Sequence, residues 1–102
     1  MERLVDEIND LIEGGASDLS RIEHTLTDGY ARALDLEAER WRIERRLAEI
    51  ATRLTRSDPT DDRGEVSVLV ARRDCANAEL VRLRNALGDL RRHAELVRAN
   101  AA

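Results

Sequence analysis

The chain has no phenylalanine and no lysine, and it holds one cysteine, one proline, one tryptophan and one tyrosine among 102 residues. Each scarcity excludes something. With 2% aromatic and 37% charged residues, the composition is far from that of an ordinary globular core. The apolar residues are almost all Leu, Ile, Val and Ala, which suits a thin seam between helices. A lone Cys75 rules out an internal disulfide. No stretch approaches the ~18 consecutive apolar residues of a membrane span. The opening "MERLVDEIND" lacks the basic start and apolar run of a secretory signal, so the cytoplasm is the expected location.

The structure breakers gather in one place. "TRSDPTDDRGE", Thr55 to Glu65, holds the only proline together with three aspartates and a glycine. Pro59 has no backbone N–H to donate and disfavours helix at Asp58, so a turn is expected over residues 57–63. Asp62, with Glu65 three residues on, reads as a capping box that opens the helix beyond. A cap at Asp58 with Pro59 as first helical residue is the alternative start.

On either side of that turn the apolar residues recur in alternating steps of three and four. Before it run Leu19, Ile22, Leu26, Gly29, Ala33, Leu36, Arg40, Ile43, Leu47, Ile50 and Leu54. After it run Val66, Leu69, Arg73, Ala76, Leu80, Leu83, Leu87, Leu90, Ala94 and Val97. Such spacing over several heptads puts each series on one helix face. The expected fold is all-α: a long antiparallel coiled-coil hairpin with arms at 17–56 and 64–100 and an N-terminal helical extension over 1–16, assembled as a dimeric helical bundle.

Charges suggest how the arms meet. Residues 1–39 carry eleven acids and three Arg, whereas residues 64–102 carry seven Arg and five acids. With Leu19 and Val66 as heptad a positions, stacking a on d pairs residues whose numbers add to 123, such as Leu36 with Leu87 and Gly29 with Ala94. Flanking positions then set Glu37 against Arg84, Glu23 against Arg98, Tyr30 against Arg91 and Arg46 against Glu79. Arg53 facing Arg72 does not fit. Exposed pairs stabilise by only ~0.2–1 kcal/mol each, so their value lies in choosing orientation and register. Arg40 and Arg73 interrupt the seam, a way to specify register while the head groups snorkel to water or to a nearby acid.

In that register the first twenty residues overhang the hairpin. Leu4, Val5, Ile8, Leu11 and Ile12 form a stripe wider than a two-helix seam. "EGGASDLS" offers a hinge at Gly14-Gly15 with Ser17 as N-cap of a new helix. The heptad phase nevertheless runs unbroken through Val5, Ile8, Ile12, Gly15 and Leu19, which favours one continuous or merely kinked helix. Leu34 and Trp41 lie one heptad apart on the outer face of the first arm. Together with Leu4, Ile8, Leu11 and Ile12 they make the candidate association face, for a second copy of the chain first and another protein second.

Chemistry is sparse. His24 and Asp28 have the spacing of a helical metal pair but lack further ligands. Asp58, Thr60 and Asp62 imitate the start of a calcium loop, yet Arg63 stands where the sharp turn needs Gly. Cys75 has neither a partner cysteine nor a nearby histidine. No catalytic residue, cofactor or metal is expected. Two alternatives to an association role are an anion- or ligand-binding protein or enzyme using Arg40 and Arg73, and a nucleic-acid partner of the Arg-rich segment 82–98. The formal net charge of −4 and the predicted Glu partners of Arg84 and Arg98 weigh against nucleic acid.

Overall fold

The computed structural model describes residues 3–56 and 62–101, and every regular element among them is an α-helix. Helix α1 spans Arg3–Glu13, α2 spans Leu19–Thr55 and α3 spans Arg63–Ala101. Helices α2 and α3 pack antiparallel along their length, and α1 folds back onto one end of the pair, mainly against α3. The result is a rod of 66 × 18 × 15 Å.

The favoured continuous first helix is not what forms. Helix α1 ends in a Schellman turn: Gly15 takes a left-handed φ of 63°, its N–H donates to the Ile12 carbonyl at 3.1 Å, and the Ala16 N–H donates to the Leu11 carbonyl at 3.0 Å. Those bonds satisfy carbonyls that a helix end would otherwise leave orphaned. Asp18, not Ser17, then caps α2, accepting from the Arg21 N–H at 3.2 Å. Gly15 and Asp18 together outweigh the phase continuity, because an apolar stripe runs in phase whether or not the backbone between its parts is straight.

The reversal releases α1 to bury its stripe within the same chain. Ile8 and Leu11 are buried beside Ile22, Leu83 and Leu90, and Leu4, Val5 and Ile12 pack against the same core. His93 Nε2 donates to the Ala16 carbonyl at 2.7 Å and ties the α1–α2 connection to α3.

The layers of the hairpin also differ from the expected ones. Gly29 faces Leu87: a Cβ added at Gly29 would lie 2.4 Å from Leu87 Cδ2. The two numbers add to 116, one heptad less than 123. Leu47 and Val66 pack with Ile43, Ile50 and Leu69, as the same shift requires. A slip of one heptad carries every a or d residue onto another, so the leucine pattern is indifferent to it. Side-chain size breaks the tie. Gly29 against Leu87 fills a layer, whereas Gly29 against Ala94 would leave it hollow.

This register explains why the core divides. It sets Arg40 level with Ala76 and Arg73 level with Ile43, so both guanidinium-bearing positions fall in adjacent layers. The larger apolar cluster lies on the α1 side of them, and Ile43, Ile50 and Leu69 form a separate cluster on the turn side.

At the turn, α3 begins directly after Asp62, and the Val66 N–H donates to the Asp62 carbonyl at 2.9 Å. The expected capping box is not made as drawn: the Glu65 carboxylate is held by Arg46, and Asp62 Oδ1 accepts from Arg53 at 3.2 Å. Asp58 and Pro59, and with them the alternative cap and the calcium-loop start, lie outside the described residues.

Candidate association face

The flanks of the hairpin are unlike. On one, α1 covers the end furthest from the turn, where Thr25 and Ala86 are buried. Beside α1, Arg32 grips Glu79 with two hydrogen bonds of 2.9 and 3.1 Å, and the Glu79 side chain is 10% exposed. The Arg32 guanidinium pKa is raised, chiefly by those hydrogen bonds. Further along the same flank Glu39 pairs with Arg72 at 3.3 Å and Arg46 with Glu65.

The other flank holds Glu37 with Arg84, and Glu23 with Arg98 at 2.7 Å. Both were read from the sequence, although with the wrong layers beneath them. Flanking pairs in an antiparallel seam slant along the axis, and their slant can reach either of two layers a heptad apart. Arg46 and Glu79, by contrast, do not meet. Their actual partners, Glu65 and Arg32, are reached by pairs that slant across the shifted seam.

Around the Glu37–Arg84 pair lies an apolar surface that neither α1 nor the seam takes up, apart from the exposed Leu54, Val68 and Leu96 elsewhere on the rod. Trp41 is 58% exposed, Leu34 66% and Tyr30 43% on α2, and Val81 is 60% exposed on α3. Trp41 sits one turn beyond Glu37, and Val81 one turn before Arg84, so both lie on the turn side of that pair on the same flank. Arg45 stacks on the Trp41 ring, its Cζ 5.2 Å from the centroid. One turn the other way, a recess of about 430 Å³ opens between the helices. Tyr30, Leu34, Arg84 and Arg91 wall it, and Ala33, Leu87 and Gly88 form its floor.

The sequence-derived association face is thereby divided. Leu34 and Trp41 are exposed, but Ile8 and Leu11 are buried and Leu4 and Ile12 are packed intramolecularly, so the N-terminal stripe is not a free surface. The reason is the Schellman turn, which lets α1 reach the hairpin. Val81, Gly88 and the recess were missed. Their signal was available, since both occupy on the second arm the same outer heptad position as Leu34 and Trp41 on the first.

Other candidates separate from this face. Arg40 donates to Asn77 Oδ1 at 3.2 Å, and Arg73 lies 3.8 Å from the neighbouring Asp74. His24 and Asp28 approach to 3.6 Å with both side chains well exposed. Cys75 is exposed, beside the Glu39 and Arg72 carboxylate–guanidinium pair. Among the described residues no three His, Cys, Asp or Glu side chains are grouped to hold a metal ion, and no helix is long and apolar enough to cross a membrane.

Fold and surface together define a helical hairpin carrying a short third helix at one end and an apolar face on one flank. No family model, curated protein or solved structure matches the chain.

Proposed function

We propose that the protein is a non-enzymatic association module whose face around Leu34 and Trp41 joins two copies of the chain. The observation that carries the reading is the alignment of Leu34 and Trp41, 66% and 58% exposed, with Val81 on the flank that α1 leaves open. Scattered exposed apolar residues are ordinary, but a Trp, a Leu and a Tyr aligned over three turns of one helix mark a contact surface. The anion-site reading of Arg40 and Arg73 has less support, because Arg40 is held by Asn77 and the two residues are not joined by converging polar groups. Nucleic-acid binding is weakened by the pairing of Arg84 and Arg98 with Glu37 and Glu23.

Sedimentation equilibrium at micromolar concentration tests the proposal. The intact chain is expected at twice its monomer mass, and Trp41→Ala is expected to weaken the dimer by about 30-fold or more, as for a central aromatic anchor. A monomeric wild-type chain overturns the reading.

A further inference from the structure

The ion pairs on the flank that α1 leaves open follow one rule. Glu23 pairs with Arg98 at 2.7 Å and Glu37 with Arg84, and the numbers in each pair add to 121. Midway between them the same rule selects Tyr30 and Arg91. This middle rung has no acid. Among the described residues Arg91 has no hydrogen-bond, ion-pair or ring partner, so the cation–π contact expected with Tyr30 is not made. At the same rung lies the recess of about 430 Å³, with Tyr30 and Arg91 on its walls and Ala33, Leu87 and Gly88 as its floor. An unpaired cation and an apolar hollow coincide.

We infer that the recess binds a small amphipathic monocarboxylate. Its carboxylate pairs with Arg91, as the glutamates of the neighbouring rungs pair with Arg84 and Arg98, and its apolar tail lies along Ala33, Leu34 and Leu87. The volume falls within the range of about 300–1,000 Å³ usual for small-molecule sites, which are mostly apolar with a few polar groups that fix orientation. A guanidinium presents two parallel N–H donors that match a carboxylate. Charge sets the valence of the ligand. Arg84, Arg91 and Glu37 are the ionised groups lining the recess, so it offers a single net positive charge, and Glu37 disfavours a dianion such as a phosphate ester. Neither part of the ligand suffices alone, because a bare head leaves the apolar floor in water and a bare tail leaves Arg91 unpaired.

The site belongs to one chain and does not require the self-association proposed above, although Leu34 serves both. Octanoate is the probe, titrated into the wild-type chain and into Trp41→Ala, in which a dimer covers the recess less. Amide NMR shifts around residues 30–37 and 84–91 are expected to saturate in at least one of the two chains, with a Kd of about 1 mM or lower. Octanol, which has the tail without the charge, and acetate, which has the head without the tail, are each expected to bind at least about tenfold more weakly. Arg91→Gln is expected to weaken octanoate binding at least about tenfold without changing the melting temperature, since Arg91 makes no contact that the fold uses. Tyr30→Glu supplies the missing acid from within the chain and is expected to abolish binding. Tyr30→Gln, of the same size but uncharged, is expected to retain it within about fivefold.

The site is overturned if octanoate saturates neither chain, if octanol binds as tightly, or if Arg91→Gln binds like its parent. Equal binding by Tyr30→Glu and Tyr30→Gln also overturns it. Octanoate binding by a wild-type chain that sediments as a monomer supports the site and rejects only the association reading.

Discussion

The two ends of the hairpin share one leucine pattern but not one thickness. Away from the turn, α1 lies over α2 and α3, and Ile8, Ile22, Leu83 and Leu90 are almost wholly removed from solvent. Towards the turn, among the described residues, two helices pack alone around Ile43, Ile50 and Leu69, and the seam residue Leu54 is 57% exposed. Between them stand Arg40 and Arg73 in neighbouring layers. A third helix adds what a two-helix seam lacks: apolar contact on a second side of each buried residue. The turn end is accordingly the region where opening begins, and the α1 end sets the global stability.

The contrast is sharpest in the core. Leu90→Ala is expected to destabilise by about 3–5 kcal/mol and Leu69→Ala by about 2 kcal/mol, since a two-helix site collapses more easily around a lost side chain. Urea unfolding of the two variants measures this, and equal costs would erase the distinction between the ends. Next in size is Gly29→Ala. Helix propensity favours it by up to ~1 kcal/mol, but the added methyl meets Leu87 Cδ2 at 2.4 Å and forces the helices apart, for a net loss of about 1–2 kcal/mol. A stabilised Gly29→Ala chain would show that the layers are not those described.

Gly15→Ala probes the junction between the ends. A Cβ there meets nothing within 4 Å, yet φ of 63° strains any L side chain by about 1 kcal/mol. Amide exchange in α1 is expected to accelerate about fivefold while exchange around Leu69 stays unchanged. Uniform acceleration would mean that α1 and the turn end open together.

The smallest effect belongs to the turn end. Hydrogen bonding from Arg46 holds the Glu65 carboxyl below its ordinary value of 4.5. A depressed folded-state pKa contributes stability that is present above the ordinary value and lost as pH falls through the depressed one. Glu65→Gln is therefore expected to flatten slightly the fall in melting temperature between neutral pH and pH about 3, with the change confined to the region below 4.5. A change centred near neutrality would assign the effect to another group.

Helix type and the antiparallel direction were legible because they depend on repetition: Leu19 to Leu54 and Val66 to Val97 each keep one face for many turns. Register was less so. Heptad patterns are periodic, and Glu37–Arg84 and Glu23–Arg98 satisfy two registers at once. The decisive residue was Gly29, whose lack of a side chain demands a large neighbour. The fold-back of α1 hung on the conformation of Gly15, where a local backbone preference competes with a longer-range apolar phase. Trp41 and Leu34 could be placed on an outer face by spacing alone. The recess over Gly88 could not, because it is formed by two helices whose relative height the sequence leaves open.

Small-angle scattering of the intact chain at micromolar concentration tests the central claim most directly. Association through the mid-rod face around Leu34 and Trp41 predicts the forward-scattering mass of two chains with a maximum dimension still close to the 66 Å of one rod. The mass of a single chain, or a dimer approaching twice that length, would contradict it.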